Sequence, residues 1–314
     1  MGDELQSELE SIPGRPNRAD VIRLLAEDLS GSELNTLLLE VFRARTAASS
    51  AADLLRRYRE NRFVQPAAAD PIALRRLELA LLSIAVRHGA APVQLSPVAP
   101  LGTASVIAEV DQNNVVSALR GTEVVSDATN LLALHACELI RARGASRRKE
   151  ERLRLCTTHR HVRAQFWGNA PGMLPHFHLF GQVTAGRDTG SYGFEKPAFW
   201  EHIALYRAIF RERFDADIEV ILSARGGYSD AEGLLAWIVA EGEARGAGGI
   251  RLTIGAAKPD HRYYAGLQFT IKTTIAGKEL TIGDGGFVDW TQRLLGNKKE
   301  RLLISAIGLE RLMS

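Results

Sequence analysis

The C-terminal string Ala306-Ile307-Gly308-Leu309-Glu310-Arg311-Leu312 decides how the chain is read, together with two strings upstream of it. These are Gly283-Asp284-Gly285-Gly286-Phe287-Val288-Asp289 and Arg262-Tyr263-Tyr264-Ala265-Gly266-Leu267-Gln268-Phe269. Taken alone, the last string reads as a terminal helix with one solvated arginine. The glycines at 283, 285 and 286 let a backbone come close to a small ligand. Tyr263 and Tyr264 stand at a strand start, where they either wall an amino-acid pocket or alternate between core and surface.

In this order and spacing the three strings resemble the catalytic core of class II aminoacyl-tRNA synthetases, closest to the histidyl branch. That branch includes a non-charging regulatory paralogue of the histidine pathway. Ala306 to Leu312 is similar to motif 3, a strand entering a helix whose arginine, here Arg311, holds the ATP γ-phosphate. Gly283 to Asp289 is similar to the family's GGGRYD turn, and Arg262 to Phe269 to its DYYTG-x-x-F strand. The implied fold is α+β, a class II synthetase-like antiparallel sheet flanked by helices over residues 70–314. Residues 1–69 would form an N-terminal helical extension, and no anticodon-binding domain is expected.

The resemblance also implies site residues. His178 to Asp188 takes the place of motif 2; aligned on Gly181 and Val183, the family's arginine falls on Ala185 and its glutamate on Arg187. Positions 185 and 187 share a strand face, so Arg187 would reach the same cavity from farther along, with Asp188 beside it. Cys156 to Arg163 is similar to a polar substrate loop before motif 2, with Thr158, His159, Arg160 and Arg163 as ligands. Glu201, in Phe199-Trp200-Glu201-His202, is a candidate contact for a substrate ammonium. The catalytic set is then Arg311, Arg187 and Arg160, with Arg311, Arg187 and Asp188 on the nucleotide. Thr158, His159, Arg163, Glu201, Tyr263, Tyr264, Gly285 and Gly286 would line the substrate.

Two functions follow from the resemblance. One is ATP-dependent activation of an amino acid or related carboxylic acid as its adenylate, with ATP and Mg²⁺ as cofactors and a non-standard acyl acceptor. The other is an inactive paralogue acting as a ligand-sensing regulatory subunit with a protein partner. Ordinary tRNA charging is not expected of a sequence ending two residues after Leu312. A homodimer is implied through the helix at Ile72 to His88 and the following Val93-Gln94-Leu95-Ser96-Pro97.

Composition agrees with such a chain. With 314 residues, 46% of them apolar, it is long enough to bury a sizeable core. Its 39 basic and 37 acidic residues are interspersed apart from Arg147, Arg148 and Lys149, so no basic face calls for nucleic acid. Cys137 and Cys156 lack zinc or disulfide spacing, and no apolar N-terminal stretch suggests a leader or membrane span, so the cytoplasm is the expected compartment. His159, His161, His176 and His178 make two H-x-H pairs that would bind a metal only if adjacent strands brought them together; no metal is assigned.

Apolar spacing predicts helices over Val21–Leu29, Leu34–Phe42, Leu54–Phe63 and Ile72–His88, the last started by Asp70-Pro71. Later helices are expected at Asp127–Arg143, Pro197–Phe214, Ser229–Glu243 and Val288–Leu295. Strands are expected at Val115–Leu119, His176–Val183, Ile218–Leu222, Ile250–Ile254, Leu267–Thr274 and Leu280–Ile282. Asp127 and Thr129 read as helix caps in preference to catalytic groups, because both residue types favour caps for local hydrogen-bonding reasons.

Overall fold

The computed structural model describes residues 17–146, 148–165, 174–244, 248–258, 260 and 263–313. Arg147 of the basic run, Arg245 of a surface connection and Arg262 of the tyrosine string lie outside the described residues.

Among the described residues three helices come first: α1 (Arg18–Arg23), which runs into a π-turn, α2 (Gly31–Ala47) and α3 (Ala51–Glu60). None of them has a buried residue. Ser30 and Ser50 open α2 and α3 with reciprocal capping boxes to Glu33 and Asp53, so these helices rest on local hydrogen bonds more than on packing. The segment after α3 is tied down: Arg62 donates to the Ala164 and Gln165 carbonyls, and His176 Nε2 lies 2.6 Å from the Gln65 carbonyl.

Helix α4 (Pro71–Arg87) starts where Asp70 Oδ1 accepts from the N–H groups of Ile72 and Ala73 at 2.8 and 3.2 Å. It buries Leu74, Leu77, Leu81, Ile84 and Ala85, the side marked by the periodicity. The chain then forms β1 (Ala91–Pro92), β2 (Val98–Pro100), β3 (Ser117–Ala118), β4 (Thr122–Val124), β5 (Leu153–Val162) and β6 (His176–Arg187). After these come β7 (Ile218–Ala224), β8 (Ile250–Ile254), β9 (Ala265–Ile275), β10 (Lys278–Val288) and β11 (Glu300–Gly308). The remaining helices are α5 (Ala128–Arg143), α6 (Glu195–Phe214), α7 (Ala231–Ala244) and α8 (Trp290–Leu295).

Eight strands make one sheet in the order β1-β5-β6-β11-β10-β9-β7-β8, while β2, β4 and β3 form a small separate sheet. The large sheet is antiparallel through its centre and parallel at its edges, where β1 pairs with β5 and β7 with β8. The β7–β8 pair is joined by α7, the crossover a parallel pair requires. On one face α4, α6 and α7 pack on Cys156, Phe180, Phe269, Phe287 and Leu303. On the other, α5 packs on Leu155, Val183, Leu302 and Ile304. The expected mixed α and β architecture, a large sheet flanked by helices, is what forms.

Several local expectations are corrected. Cys156 to Val162 is part of strand β5 and not a loop, because it alternates buried side chains with side chains of the opposite face and pairs along its length with β6. The Gly283–Val288 string is not a turn; it is the second half of β10, paired with β11 from Gly283↔Ile307 to Val288↔Leu302. His178 to Arg187, expected to take the place of motif 2, lies on β6, the antiparallel partner of β5, and Asp188 follows it. After β11 the chain enters a short 3-10 turn at Glu310–Leu312. The strand expected at Val115–Leu119 shrinks to Ser117–Ala118.

Candidate functional site

Helix α5 covers β5, β6 and β11, and beyond its N-terminal end the same face of the sheet opens into a cavity of about 360 Å³. This lies at the small end of the roughly 300–1,000 Å³ range of small-molecule sites. Its polar walls come from four places: the α5 N-terminus, the end of β5, the loop after β7, and the β9–β10 pair.

At the α5 N-terminus Asp127 caps the helix, accepting from the Thr129 N–H at 2.9 Å and the Thr129 hydroxyl at 2.8 Å. Capping thus explains one oxygen of Asp127. The other faces Arg163 Nη2 at 3.4 Å, and Arg163 Nε donates to the Ser126 carbonyl at 2.9 Å. The Arg163 backbone is fixed at the hairpin end by its N–H on the Pro175 carbonyl at 2.7 Å. Behind it, His161 Nε2 accepts from the Ala128 N–H at 2.7 Å, and burial pushes this imidazole down to about 3. A ring that accepts at Nε2 carries its proton on Nδ1, so His161 is a neutral part of the helix cap.

Across the cavity Asp284 stands on β10, where its Oδ2 accepts from the Tyr264 hydroxyl at 3.2 Å and lies 3.5 Å from Gln268 Nε2. Burial raises its pKa, against these two hydrogen bonds, with Asp127 adding like-charge repulsion. Burial also lifts the Tyr263 and Tyr264 phenols well above their usual range, so both stay neutral. Arg225 donates to Gln268 Oε1 at 3.1 Å and to Asp260 at 2.8 Å. The wall therefore presents two carboxylates and two guanidinium groups around a partly apolar floor of Ala108, Val110, Ile304 and Ala306.

Gly286 owes its identity to packing. A Cβ there would come within 2.5 Å of Tyr264 Cδ1 and 2.6 Å of the Leu267 carbonyl, so glycine is what lets the tyrosine lie against β10. At Gly285 a Cβ would meet the Phe269 ring and Ser305 Cβ on the opposite face of the sheet. Neither glycine offers itself to the cavity as a ligand-facing backbone, in contrast to the expectation.

Of the site residues implied by the resemblance, Arg163, Tyr263 and Tyr264 line the cavity, as do the cap candidates Asp127 and Thr129, and the others lie elsewhere. Thr158 and Arg160 project from the face of β5 opposite to His159 and His161; Arg160 Nε donates to His176 Nδ1 at 3.2 Å. His159 is buried on the Ser96 carbonyl at 3.1 Å. Arg187 pairs with Glu300 at 3.1 Å near the far end of β6, and Asp188 pairs with Arg301 at 2.7 Å. Glu201 sits on α6 against Arg152 at 2.6 Å and Arg154 at 3.8 Å. Arg311 donates to the Thr281 carbonyl at 2.9 Å. The two H-x-H pairs are on adjacent strands but alternate to opposite faces, since His178 pairs with Arg160 and His176 with Val162. Among the described residues no three His, Cys, Asp or Glu side chains gather at metal-binding distance.

Sequence reading passed over Asp284, Gln268 and Arg225. The first two lay inside quoted strings, where strand alternation would have put them on the face of Ala306; Arg225 carried no local signal.

No protein-family model and no curated protein sequence matches the chain. Solved structures do match it. A protein described as a threonyl-tRNA synthetase of Aeropyrum pernix superposes with a TM-score of 0.57 at 14% identity, over 75% of this chain and 57% of that one. Apo histidyl-tRNA synthetase of S. aureus gives 0.57 at 14%, over 76% and 64%. The ATP phosphoribosyltransferase regulatory subunit/histidyl-tRNA synthetase of Bacillus halodurans C gives 0.57 at 12%, over 79% and 81%. The chain thus spans 57% and 64% of the first two proteins. The fold is that of the class II synthetase core. Among the described residues no helix is long and apolar enough to cross a membrane.

Proposed function

We propose that the chain binds an amino acid or a closely related small zwitterion in this cavity and acts as a ligand-sensing, non-charging synthetase-like subunit with a protein partner. The observation that carries this reading is the charge pattern of the wall. Asp127 and Asp284 suit an ammonium group, and Arg163 and Arg225 suit a carboxylate. A triphosphate is a poorer match, because Asp127 and Asp284 would repel it where they would pair with an ammonium group. Arg187, Arg160 and Arg311, expected as the catalytic set, are directed to Glu300, His176 and the Thr281 carbonyl.

A self-association surface belongs to the same proposal. On α4, Ile72, Leu79 and Val86 are 60%, 68% and 53% exposed at seven-residue spacing, a stripe suited to a second copy of the helix.

Adenylate formation with ATP and Mg²⁺ is the second reading, favoured by the position of Arg163 at the end of the β5–β6 hairpin. ATP–pyrophosphate exchange with each standard amino acid separates the two. Binding of one amino acid without exchange is expected. Exchange that depends on an amino acid and is lost in Arg311→Ala would overturn the sensing reading in favour of the ligase.

A further inference from the structure

A second cavity, of about 640 Å³, lies beyond the Arg187 end of β6, where the turn into α6 meets the loop after β7 and the start of β11. It shares no lining residue with the first. The polar stretch from Asp188 to Glu195, which the cavity on the α5 face does not use, is gathered here.

Its deepest polar group is Glu195, the first residue of α6, whose side chain is 2% exposed. Oε1 accepts from the Tyr228 hydroxyl at 3.0 Å and from Arg301 Nε at 3.1 Å. Oε2 is buried and has no hydrogen-bond partner among the described residues. The Tyr228 hydroxyl and the Arg301 pair account for one oxygen and leave the other as an unpaired acceptor, which costs about 1–3 kcal/mol where nothing donates to it. Arg301 cannot neutralise the site alone, since its Nη2 also holds Asp188 at 2.7 Å. With Asp230 and the exposed Lys298 at the rim, three acids face two bases.

The aromatic wall is built at a conformational cost. Gly190, Ser191 and Tyr192 are successive left-handed residues, with φ of +83°, +49° and +57°. For the two that are not glycine this conformation costs about 1–2 kcal/mol each. The Tyr192 hydroxyl, donating to the Asp230 carbonyl at 2.7 Å, holds the turn. The result is a Tyr192 ring parallel to Tyr228, with centroids 6.0 Å apart and planes 3° from coplanar. Ring faces and a net negative lining both favour cations, and an unpaired buried carboxylate oxygen asks for N–H donors.

We infer that this cavity is a second small-molecule site, selective for an organic ammonium or guanidinium ion, with Glu195 Oε2 as its acceptor and Tyr192 as its ring wall. The inference stands apart from the amino-acid reading of the first cavity. Calorimetric titration of the full chain with methylguanidine, agmatine, putrescine and argininamide tests it, with 1-butanol as the uncharged control. Saturable binding of at least one cation is expected, weakened at least about tenfold in both Glu195→Gln and Tyr192→Ala and retained in Arg163→Ala. Tyr192 lies in a turn outside the sheet and the helices, so Tyr192→Ala reads out the site even where Glu195→Gln fails to fold. No saturable binding by any of the four cations, or binding that Tyr192→Ala retains at full strength, overturns the inference.

Discussion

Acidification removes stability from this protein through two imidazoles that the fold keeps neutral. His202 is buried on α6, with Nδ1 2.8 Å from the Ser305 hydroxyl and Nε2 3.0 Å from the Thr184 hydroxyl. Burial pushes it down to about 3, and His161 to the same value. Both are depressed below the ordinary histidine value of about 6.5, so the unfolded chain takes up protons that the folded chain refuses. Their contribution is therefore complete above about pH 6.5 and is lost as pH falls from there toward 3. The loss is about 1.4 kcal/mol per unit for each ring, hence about 2 kcal/mol each and about 4 together by pH 5. Asp284, whose pKa is raised by burial, acts with the opposite sign and offsets part of the loss. Against a total of about 5–15 kcal/mol, acid unfolding should set in near pH 4–5. Urea unfolding at pH 7.5, 6.5, 5.5 and 5.0 measures this directly. In wild type the slope should approach two protons, and in His202→Asn it should fall by about one. A change under about 1 kcal/mol between pH 6.5 and 5.0 would refute the buried, neutral assignment.

Gly286→Ala should cost about 3 kcal/mol and release Tyr264 from Asp284, because the new methyl meets the Leu267 carbonyl, which cannot move aside; chemical denaturation and the tyrosine near-ultraviolet signal report it. Glu123, 1% exposed and accepting from the N–H groups of Gly102 and Ala104 at 2.8 Å each, should cost about 2–4 kcal/mol when changed to Ala, read by the same unfolding assay. Ligand affinity should weaken as pH falls through the raised pKa of Asp284, since an ammonium needs the carboxylate ionised; titrations at pH 7.5 and 5.5 check the sign. Leu79→Glu should shift the sedimentation profile toward monomer without changing the melting temperature of the protomer, since Leu79 is 68% exposed.

The parts of the fold that sequence made legible are those fixed by local chemistry. Asp70 and Pro71 start α4, Asp127 starts α5, and the β-branched runs at 218–222 and 267–274 become β7 and β9, because caps, propensity and periodicity act within a few residues. What misled was a strand whose buried face is polar. In β5, Thr157, His159 and His161 are buried on the α5 face, each with one hydrogen bond to a backbone carbonyl or N–H of a distant segment. Those partners lie 33 to 64 residues away in sequence, so the run looked like a solvated substrate loop. Strand alternation then decided against Thr158 and Arg160 and in favour of Asp284, a consequence visible only once the pairing of β5, β6, β11 and β10 was known.

The central claim is that the cavity between Asp127, Arg163, Tyr264 and Asp284 holds an amino acid. Calorimetric titration of the full chain with each standard amino acid, repeated on Arg163→Ala and Asp284→Asn, tests it most directly. Saturable binding of one or a few amino acids is expected, weakened at least about tenfold by either substitution. Absence of binding by all of them, or binding indifferent to both substitutions, would contradict it.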